Sequence, residues 1–367
     1  MDKHKKCNPK AVIRIAGAFI AFLIGAGFAT GQEILQFFSS YGYVSYGIII
    51  LNLIGFLILG QILLATGNEH QDNTFEHFTY YCGKKLGTVY SWLIPVTLFL
   101  IISVMISASG STISEYFGVN RHLGSALMAF IVVGAYLVGF EKLVKIVSAI
   151  GPVIIIFALF VGAVTVVRDF GNFTDIAQYK DTLELSKASP NWILSAMLYL
   201  SLCFLTASTF YTALGKSATD KNEARLGATL GAVVFILALA IMSTAIMLNA
   251  KETSNLAIPT LYLACKISYV LGGMFSVILV LGIFSACSTM MWTVCSRFYA
   301  ENVWKNRMFA IAIGIAAFII GQFSFSKLIN VFYPFIGYAG LIFIGCVVWK
   351  GTKKNCCNTR GRFSCGK

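Results

Sequence analysis

Ten stretches of the chain are strongly apolar and contain no Asp, Glu, Lys or Arg. They are residues 15–32, 43–68, 86–114, 123–140, 146–167, 188–215, 226–250, 267–296, 308–326 and 328–349. Each has about 18 residues or more, which is the length a helix needs to cross a hydrocarbon layer roughly 30 Å thick. Their residues do not alternate in polarity as the strands of a membrane barrel do. The pattern predicts an all-α membrane protein with ten transmembrane helices, called spans one to ten below.

The composition agrees with lipid as the main solvent of this chain. Hydrophobic residues make up 57% of the 367 residues and charged residues 12%, and the mean hydropathy is +0.79. A soluble globular domain carries about 25% charged residues to solvate its surface. These values exclude a soluble domain and a disordered chain, and they make the lipid bilayer the expected partner.

The net charge of +13 is distributed unevenly along the chain. If the N-terminus is cytoplasmic, the cytoplasmic segments are 3–14, 84–85, 142–145, 216–225, 297–307 and 350–367. They hold twenty-one of the 28 Lys and Arg residues. This bias follows the positive-inside rule and predicts a multi-pass cell-membrane protein with both termini in the cytoplasm. The basic excess is thus a topology signal, and we expect no nucleic-acid partner. Removal of the first span as a signal peptide would instead leave nine helices and termini on opposite sides.

Span one contains three glycines in seven residues, Gly25-Ala26-Gly27-Phe28-Ala29-Thr30-Gly31. Glycines this dense weaken a helix and allow close backbone approach, although small residues in membrane helices also serve as simple packing contacts. Thr30 and Glu33 have the spacing of a capping box, which predicts that one helix stops near Gly25 and another starts near Thr30. An acid at bilayer depth costs about 2.5–3.5 kcal/mol. Glu33 is therefore either a helix cap, a gate or a counter-charge for a substrate ammonium.

Span six has a second polar stretch, from Ser201 to Thr209, in which five of nine side chains are Ser, Thr or Cys. Such hydroxyls can satisfy an unwound turn, but they can equally bond to their own intact helix. Spans one and six are corresponding positions in two halves of five helices. Matching interrupted helices favour an inverted-repeat transporter with its site at the membrane midplane. We expect one domain over 1–367, with halves at 11–167 and 188–349 and a cytoplasmic tail at 350–367.

Span eight places Ser285, Ser288 and Thr289 on one helical face. Hard cations take oxygen ligands, so these hydroxyls and the carbonyls freed in span one predict a neutral cation site, with chance packing of small residues as the alternative. Span three offers Ser103, Ser107 and Ser111 as a polar stripe toward the same centre. The ten cysteines and four histidines show no metal-ligand spacing, and no nucleophile–base pair lies within the spans. We expect neither a cofactor nor an enzyme.

The stretch from Gly25 to Ile34 resembles the YkvI-type membrane proteins of bacteria, a group similar to the amino acid, polyamine and organocation transporters with a LeuT-like five-plus-five fold. The resemblance implies that the Ala26 and Gly27 amides face the substrate and that Ser201, Cys203 and Phe204 match the break of span six, with Cys203 in place of a glycine. It implies a cation site of the Ala21 and Ile24 carbonyls with Ser285, Ser288 and Thr289, and no second sodium site, because Phe28 replaces an asparagine. Residues 257–263 match an outer gating loop or an ordinary connection.

These observations predict a secondary active transporter of a small organic solute, an amino acid or related amine, coupled to sodium. The predicted substrate-binding residues are Ala26, Gly27, Thr30, Glu33, Ser107, Ser201, Cys203, Phe204 and Thr206. The predicted cation ligands are Ala21, Ile24, Ser285, Ser288 and Thr289. Proton coupling through Glu33 and a ligand-sensing receptor without net transport are alternatives. A channel would need a continuous polar path through the membrane.

Overall fold

The computed structural model describes residues 8–72, 75–138, 150–179, 186–298 and 303–364, and all regular elements of this part of the chain are helices. The first half contains α1 (Pro9–Leu23), α2 (Ala26–Thr30), α3 (Gln32–Phe37), a 3₁₀ segment (Ser39–Val44), α4 (Ser45–Glu69), α5 (His77–Phe117), α6 (Arg121–Val138), α7 (Ile150–Asp169) and a second 3₁₀ segment (Phe170–Tyr179). The second half contains α8 (Trp192–Lys216), α9 (Lys221–Leu248), α10 (Ala250–Thr253), α11 (Pro259–Ile267), α12 (Tyr269–Arg297), α13 (Val303–Ile320) and α14 (Phe325–Ser364). The all-α prediction is confirmed for these residues.

Eight helices of the described residues are long and apolar enough to cross a membrane. They are Ser39–Glu69, His77–Phe117, Val153–Gln178, Trp192–Lys216, Lys221–Leu248, Tyr269–Cys295, Val303–Ile320 and Phe325–Lys353. Predicted span one is divided among α1, α2 and α3, and span four corresponds to a shorter apolar stretch, Arg121–Leu137. The start of span five, Lys142 and Lys145, the last three residues and the side chains from 354 onward lie outside the described part. The count of ten helices and the orientation of the termini stay predictions.

Helix α8 lies at the centre of the described bundle, packed against α4 and α14. Helix α1 packs against α9, α9 against α4, and α5 against α12. Large apolar side chains cover the outer surface; Phe130 is 77% exposed and Ile156 is 67% exposed. A protein surrounded by water rarely exposes so much contiguous apolar surface, so these outward faces fit a lipid environment.

Two glycines allow α4 and α8 to touch backbone to backbone. A Cβ atom at Gly67 would collide with the carbonyl group of Thr212, and one at Gly215 would collide with the carbonyl group of Leu64. Small residues at a helix crossing permit this approach, which gains van der Waals contact where lipid offers no hydrophobic driving force between helices. The crossing fixes α8 beside the first half of the chain.

Candidate binding cavity

The first span is interrupted where the glycines predict. Helix α1 ends at Leu23, and the Ile24 N–H donates the last bond of the helix to the carbonyl of Ile20, at 2.9 Å. Gly25 is extended, with φ −89° and ψ −169°, and α2 begins at Ala26. The prediction that a helix stops near Gly25 is confirmed. Because the last carbonyls of a helix lack intrahelical donors, the interruption frees backbone oxygens inside the bundle.

The predicted capping box of Thr30 and Glu33 is wrong. The next helix starts at Ala26, and α3 starts at Gln32 with Gly31 as its N-cap residue in the left-handed conformation, at φ 80°. The Thr30 hydroxyl donates to the carbonyl of Gly27 at 2.7 Å, so it bonds back into α2 and caps nothing. Neither cap of α2 or α3 has a side-chain hydrogen bond. The Glu33 carboxylate therefore caps neither helix.

The predicted break in span six is also wrong, because α8 runs continuously from Trp192 to Lys216. Its hydroxyls bond to their own helix: Thr206 donates to the Leu202 carbonyl at 2.9 Å, and Ser208 donates to the Leu205 carbonyl at 3.0 Å. Such hydrogen bonds form on an intact helix and do not require an unwound turn. Cys203, which stands where the resemblance expects a glycine, brings none of glycine's conformational freedom.

A cavity of about 300 Å³ lies beside the interruption of the first span. It is lined by Ala21, Phe22, Leu23, Ile24, Gly25, Gly27, Phe28 and Glu33 of the first span, by Leu98, Ile101 and Met105 of α5, by Ile154 of α7, by Leu202, Cys203 and Thr206 of α8, by Gly282, Ser285, Ala286, Thr289 and Met290 of α12, and by Tyr333 of α14. Most of this surface is apolar, with a few polar groups. That is the usual character of a small-molecule pocket.

Eight of the predicted site residues line this one cavity. They are Gly27, Glu33, Cys203 and Thr206 from the predicted substrate site and Ala21, Ile24, Ser285 and Thr289 from the predicted cation site. Residues more than 260 positions apart in the sequence are thus brought to one place by the packing of the first span against α8 and α12.

Two predicted serines have structural bonds elsewhere. The Ser107 hydroxyl donates to the carbonyl of Phe323 at 2.8 Å, between α5 and the turn before α14. The Ser201 hydroxyl donates to the carbonyl of Gly337 at 2.6 Å and so joins α8 to α14. Both side chains are buried, and neither lines the cavity.

Thr30, Phe204 and Ser288 also lie outside the lining. Thr30 bonds to α2 as described above, and Phe204 packs in the core with its ring tilted against that of Phe56, at a centroid distance of 4.9 Å. Ser288 is buried, and its Oγ has no hydrogen-bond partner among the described residues. Ala26 is the first residue of α2, and its side chain lies outside the described part.

Glu33 is the one residue with a formal charge among the described residues that line the cavity. It is 8% exposed. Its Oε2 atom lies 2.5 Å from the position that a Cβ of Gly27 would take, and the hydroxyl of Tyr333 lies 3.1 Å from the same position. The Tyr199 side chain is a further neighbour of the carboxylate. No described basic side chain forms an ion pair with Glu33. The site holds a buried carboxylate against bare backbone, with no counter-charge from the side chains that the structure describes.

Residues of the first span and of α12 that carry available oxygen atoms also line the cavity. The last hydrogen bond of α1 joins the Ile24 N–H to the Ile20 carbonyl. The carbonyls of the final turn, from Ala21 onward, therefore accept no N–H bond within α1. The Thr289 hydroxyl donates to the Ala286 carbonyl at 2.9 Å, which leaves its oxygen lone pairs as acceptors. Carbonyl and hydroxyl oxygens are ligands that a hard cation takes.

Sequence reasoning missed the apolar lining and Tyr333. It chose the serine stripe of span three, but the Ser103 hydroxyl bonds to its own helix at Phe99, 3.0 Å away, and the neighbouring face with Ile101 and Met105 lines the cavity. Aliphatic residues at helical spacing carry no signal that separates a pocket wall from ordinary core. For Tyr333, the adjacent proline inside α14 is the one local irregularity.

No family model matches the chain. It is 24% identical over 353 residues to the uncharacterized membrane protein YkvI of Bacillus subtilis (strain 168), covering 92% of this chain and 95% of the relative. The chain is homologous to YkvI. It is also 25% identical over 330 residues to the uncharacterized protein YyaD of the same organism, covering 89% of this chain and 93% of the relative. The resemblance in the first span therefore extends along nearly the whole length of this YkvI homologue.

Its structural neighbours are LeuT-fold transporters. A crystal structure of a manganese transporter from Eremococcus coleocola has a TM-score of 0.60 and 14% sequence identity, covering 95% of this chain and 80% of that one. A crystal structure of MhsT in complex with L-phenylalanine has a TM-score of 0.58 and 15% identity, covering 95% and 89%. At such identity the likeness shows the fold.

Proposed function

We propose that this protein is a secondary active transporter that moves a small organic solute, an amino acid or related amine, by alternating access. The proposal is carried by one observation: the interruption of the first span opens onto a cavity that also holds a buried carboxylate and the hydroxyls of α8 and α12. Irregular backbone at membrane depth is tolerated where it lines a cavity, and transporters place solute and ion there. The unbroken α8 means that the first span alone supplies loosened backbone.

The packing pattern supports a five-plus-five inverted repeat with halves at 11–167 and 188–349. Helix α1 of span one packs against α9 of span seven, and α8 of span six packs against α4 of span two. If span one is exchanged with span six and span seven with span two, the pair of α1 and α9 becomes the pair of α8 and α4. The pair of α5 and α12, from spans three and eight, maps onto itself under the same exchange. A chain with two related halves should show these equivalent contacts.

Sodium is the proposed coupling ion. Ala21 and Ile24 of the first span and Ser285 and Thr289 of α12 line the cavity, and their carbonyls and hydroxyls are neutral oxygen ligands for such an ion. A monovalent cation entering down about 100 mV gains about 2.3 kcal/mol. A tenfold concentration gradient adds about 1.4 kcal/mol. Together these terms support a solute accumulation of several hundredfold.

Proton coupling is a second candidate mechanism, favoured by Glu33. A buried carboxylate without a basic partner is stabilised either by a bound cation or by a proton, so protonation of Glu33 could alternate with cation binding. We propose no enzymatic activity for the cavity, in keeping with the transporters among its structural neighbours.

Reconstitution into proteoliposomes tests the proposal. Purified protein is first screened by thermal unfolding against amino acids and amines, with sodium or potassium chloride, because a ligand of the folded state raises the melting temperature. We expect a stabilising solute to show saturable counterflow that an inward sodium gradient accelerates. If an inward proton gradient in potassium chloride accelerates counterflow as much as the sodium gradient does, coupling by protonation of Glu33 is favoured. Binding without counterflow would identify a receptor.

A further inference from the structure

We propose that the solute is a cationic amine without a carboxylate group and that Glu33 is its counter-charge. This inference rests on the proposed function and narrows its substrate class. It depends on the charge inside the cavity, on the place of the Glu33 carboxylate and on the shape of the apolar wall.

The charge inside the cavity is negative and uncompensated. Glu33 lines the cavity, whereas no Lys, Arg or His is among the described lining residues. Burying an ionised carboxylate without a partner costs several kcal/mol, and removal of the partner of a buried charge is strongly destabilising. A ligand ammonium repays that cost only in the bound state, and it therefore gains affinity from Glu33. An anionic ligand would instead be repelled by Glu33 and would lose affinity.

The position of the Glu33 carboxylate argues against a solute that carries a carboxylate of its own. Glu33 Oε2 lies directly against the backbone of Gly27, where the first span is interrupted, and the Tyr333 hydroxyl closes the same space. A zwitterionic amino acid would have to put its own carboxylate either beside Glu33, at a repulsion of several kcal/mol, or among apolar side chains, where only the coupling sodium ion proposed above would offset its charge. Neither position is compensated by a basic side chain in the described lining.

The apolar wall sets the body of the solute. Leu98, Ile101 and Met105 lie on one face of α5, and the cavity is also lined by Ile154 and Met290; the Met105 Cε atom lies 3.6 Å from the position that a Cβ of Gly27 would take. A cavity of about 300 Å³ is at the lower end for small-molecule sites, so the body is small, of the size of one ring or one branched chain. Methionine thioethers adapt to aromatic and aliphatic shapes alike.

Two matched sets of probes test the inference on purified full-length protein. The first set is phenethylamine, L-phenylalanine and 3-phenylpropionate; the second is isopentylamine, L-leucine and 4-methylpentanoate. Within each set the body is kept while the carboxylate or the amine is removed. We expect at least one amine to bind tenfold or more tightly than its amino acid, with no binding of the acids, by thermal unfolding and calorimetry in sodium and in potassium chloride. An amino acid that binds as tightly as its amine, or absence of binding by both amines, overturns the inference.

Substitution of Glu33 gives the second arm. Glu33→Gln should lower amine affinity at least tenfold, and Glu33→Asp, which keeps the charge, should retain more of it. The matched control is Glu115→Gln near the C-terminal end of α5. Its carboxylate accepts the Ala257 N–H at 3.1 Å and does not line the cavity, so ligand affinity should be unchanged. A folded Glu33→Gln protein with full amine affinity overturns the inference. If this variant does not fold, the probe sets on the native protein decide.

Counterflow separates this inference from the proposed function. An amine that binds and exchanges across proteoliposomes supports both. An amine that binds but does not exchange overturns transport and leaves the ligand class standing. Counterflow of L-phenylalanine or L-leucine without amine binding overturns the ligand class and leaves transport standing.

Discussion

The contact between Glu33 and Gly27 makes one substitution especially informative. In Gly27→Ala, the added methyl group would lie 2.5 Å from Glu33 Oε2, whereas ordinary van der Waals contact begins at 3.4 Å. The carboxylate must then move by about 0.9 Å, and it moves inside a packed site where Tyr333 occupies the same space. Overpacking of this kind costs about 1–3 kcal/mol. We therefore expect a lower melting temperature and, because the displaced carboxylate no longer meets the ligand ammonium in its native position, roughly a fivefold to 150-fold loss of amine affinity.

Gly25→Ala is the matched control for that substitution. It lies in the same interruption, its backbone is extended, and a Cβ atom there meets nothing within 4 Å. Because Gly25 lines the cavity, this control applies to stability, and the melting temperature should stay close to that of the native protein. Adding Glu33→Asp to Gly27→Ala withdraws the carboxylate by one methylene group and should restore part of the stability, which a double-mutant cycle measures as a coupling energy. Equal melting temperatures of Gly27→Ala and Gly25→Ala, with no coupling to Glu33, would refute the contact.

Three further substitutions test the site and the packing. Thr289→Val removes a hydroxyl from the cavity lining while keeping the side-chain shape, so sodium should no longer raise the melting temperature of this variant. Ser288→Ala changes a residue outside the lining, so sodium should still raise its melting temperature. Identical sodium responses of the two variants would argue against the cation site. Ser201→Ala should lower the unfolding free energy by about 1 kcal/mol through the lost bond to α14 and leave ligand affinity unchanged, whereas a selective loss of affinity would return Ser201 to the binding site. Gly215→Val should destabilise the protein by about 1–3 kcal/mol because it separates α4 from α8. Gly134→Val, where a Cβ meets nothing within 4 Å, serves as its comparison, and equal stability of the two would contradict the close crossing.

The interruption of the first span could be predicted from the sequence because its cause is local. Glycine density and the length of the apolar run decide whether a lipid-embedded helix can continue, and both are properties of a short stretch of sequence. The start of the following helix could not be placed in the same way. The Thr30–Glu33 spacing suits a cap, but Gly31 turns left-handed against α11, where its added Cβ would lie 2.5 Å from the Thr260 hydroxyl, and this contact is set by a distant part of the chain.

Span six shows the limit of polar composition as a signal. A hydroxyl bonded to its own helix and a hydroxyl that supports an unwound turn look the same in a sequence, and in α8 the first arrangement holds. The serines of spans three and six show a related limit. Whether Ser107 and Ser201 face a cavity or a neighbouring carbonyl depends on the rotation of each helix about its axis, which packing against α14 and its preceding turn decides.

The sequence by itself determined that this chain is helical and membrane-embedded and where its first span is interrupted, because a backbone in lipid must satisfy its own hydrogen bonds and local residues govern whether it can. Only the tertiary structure decided which side chains share the cavity. It placed Glu33 against Gly27, six residues away, and Tyr333 against both from the far end of the chain. The physical reason is that burial and electrostatic partnership are properties of packed neighbours, and neighbours in space are chosen by the whole fold.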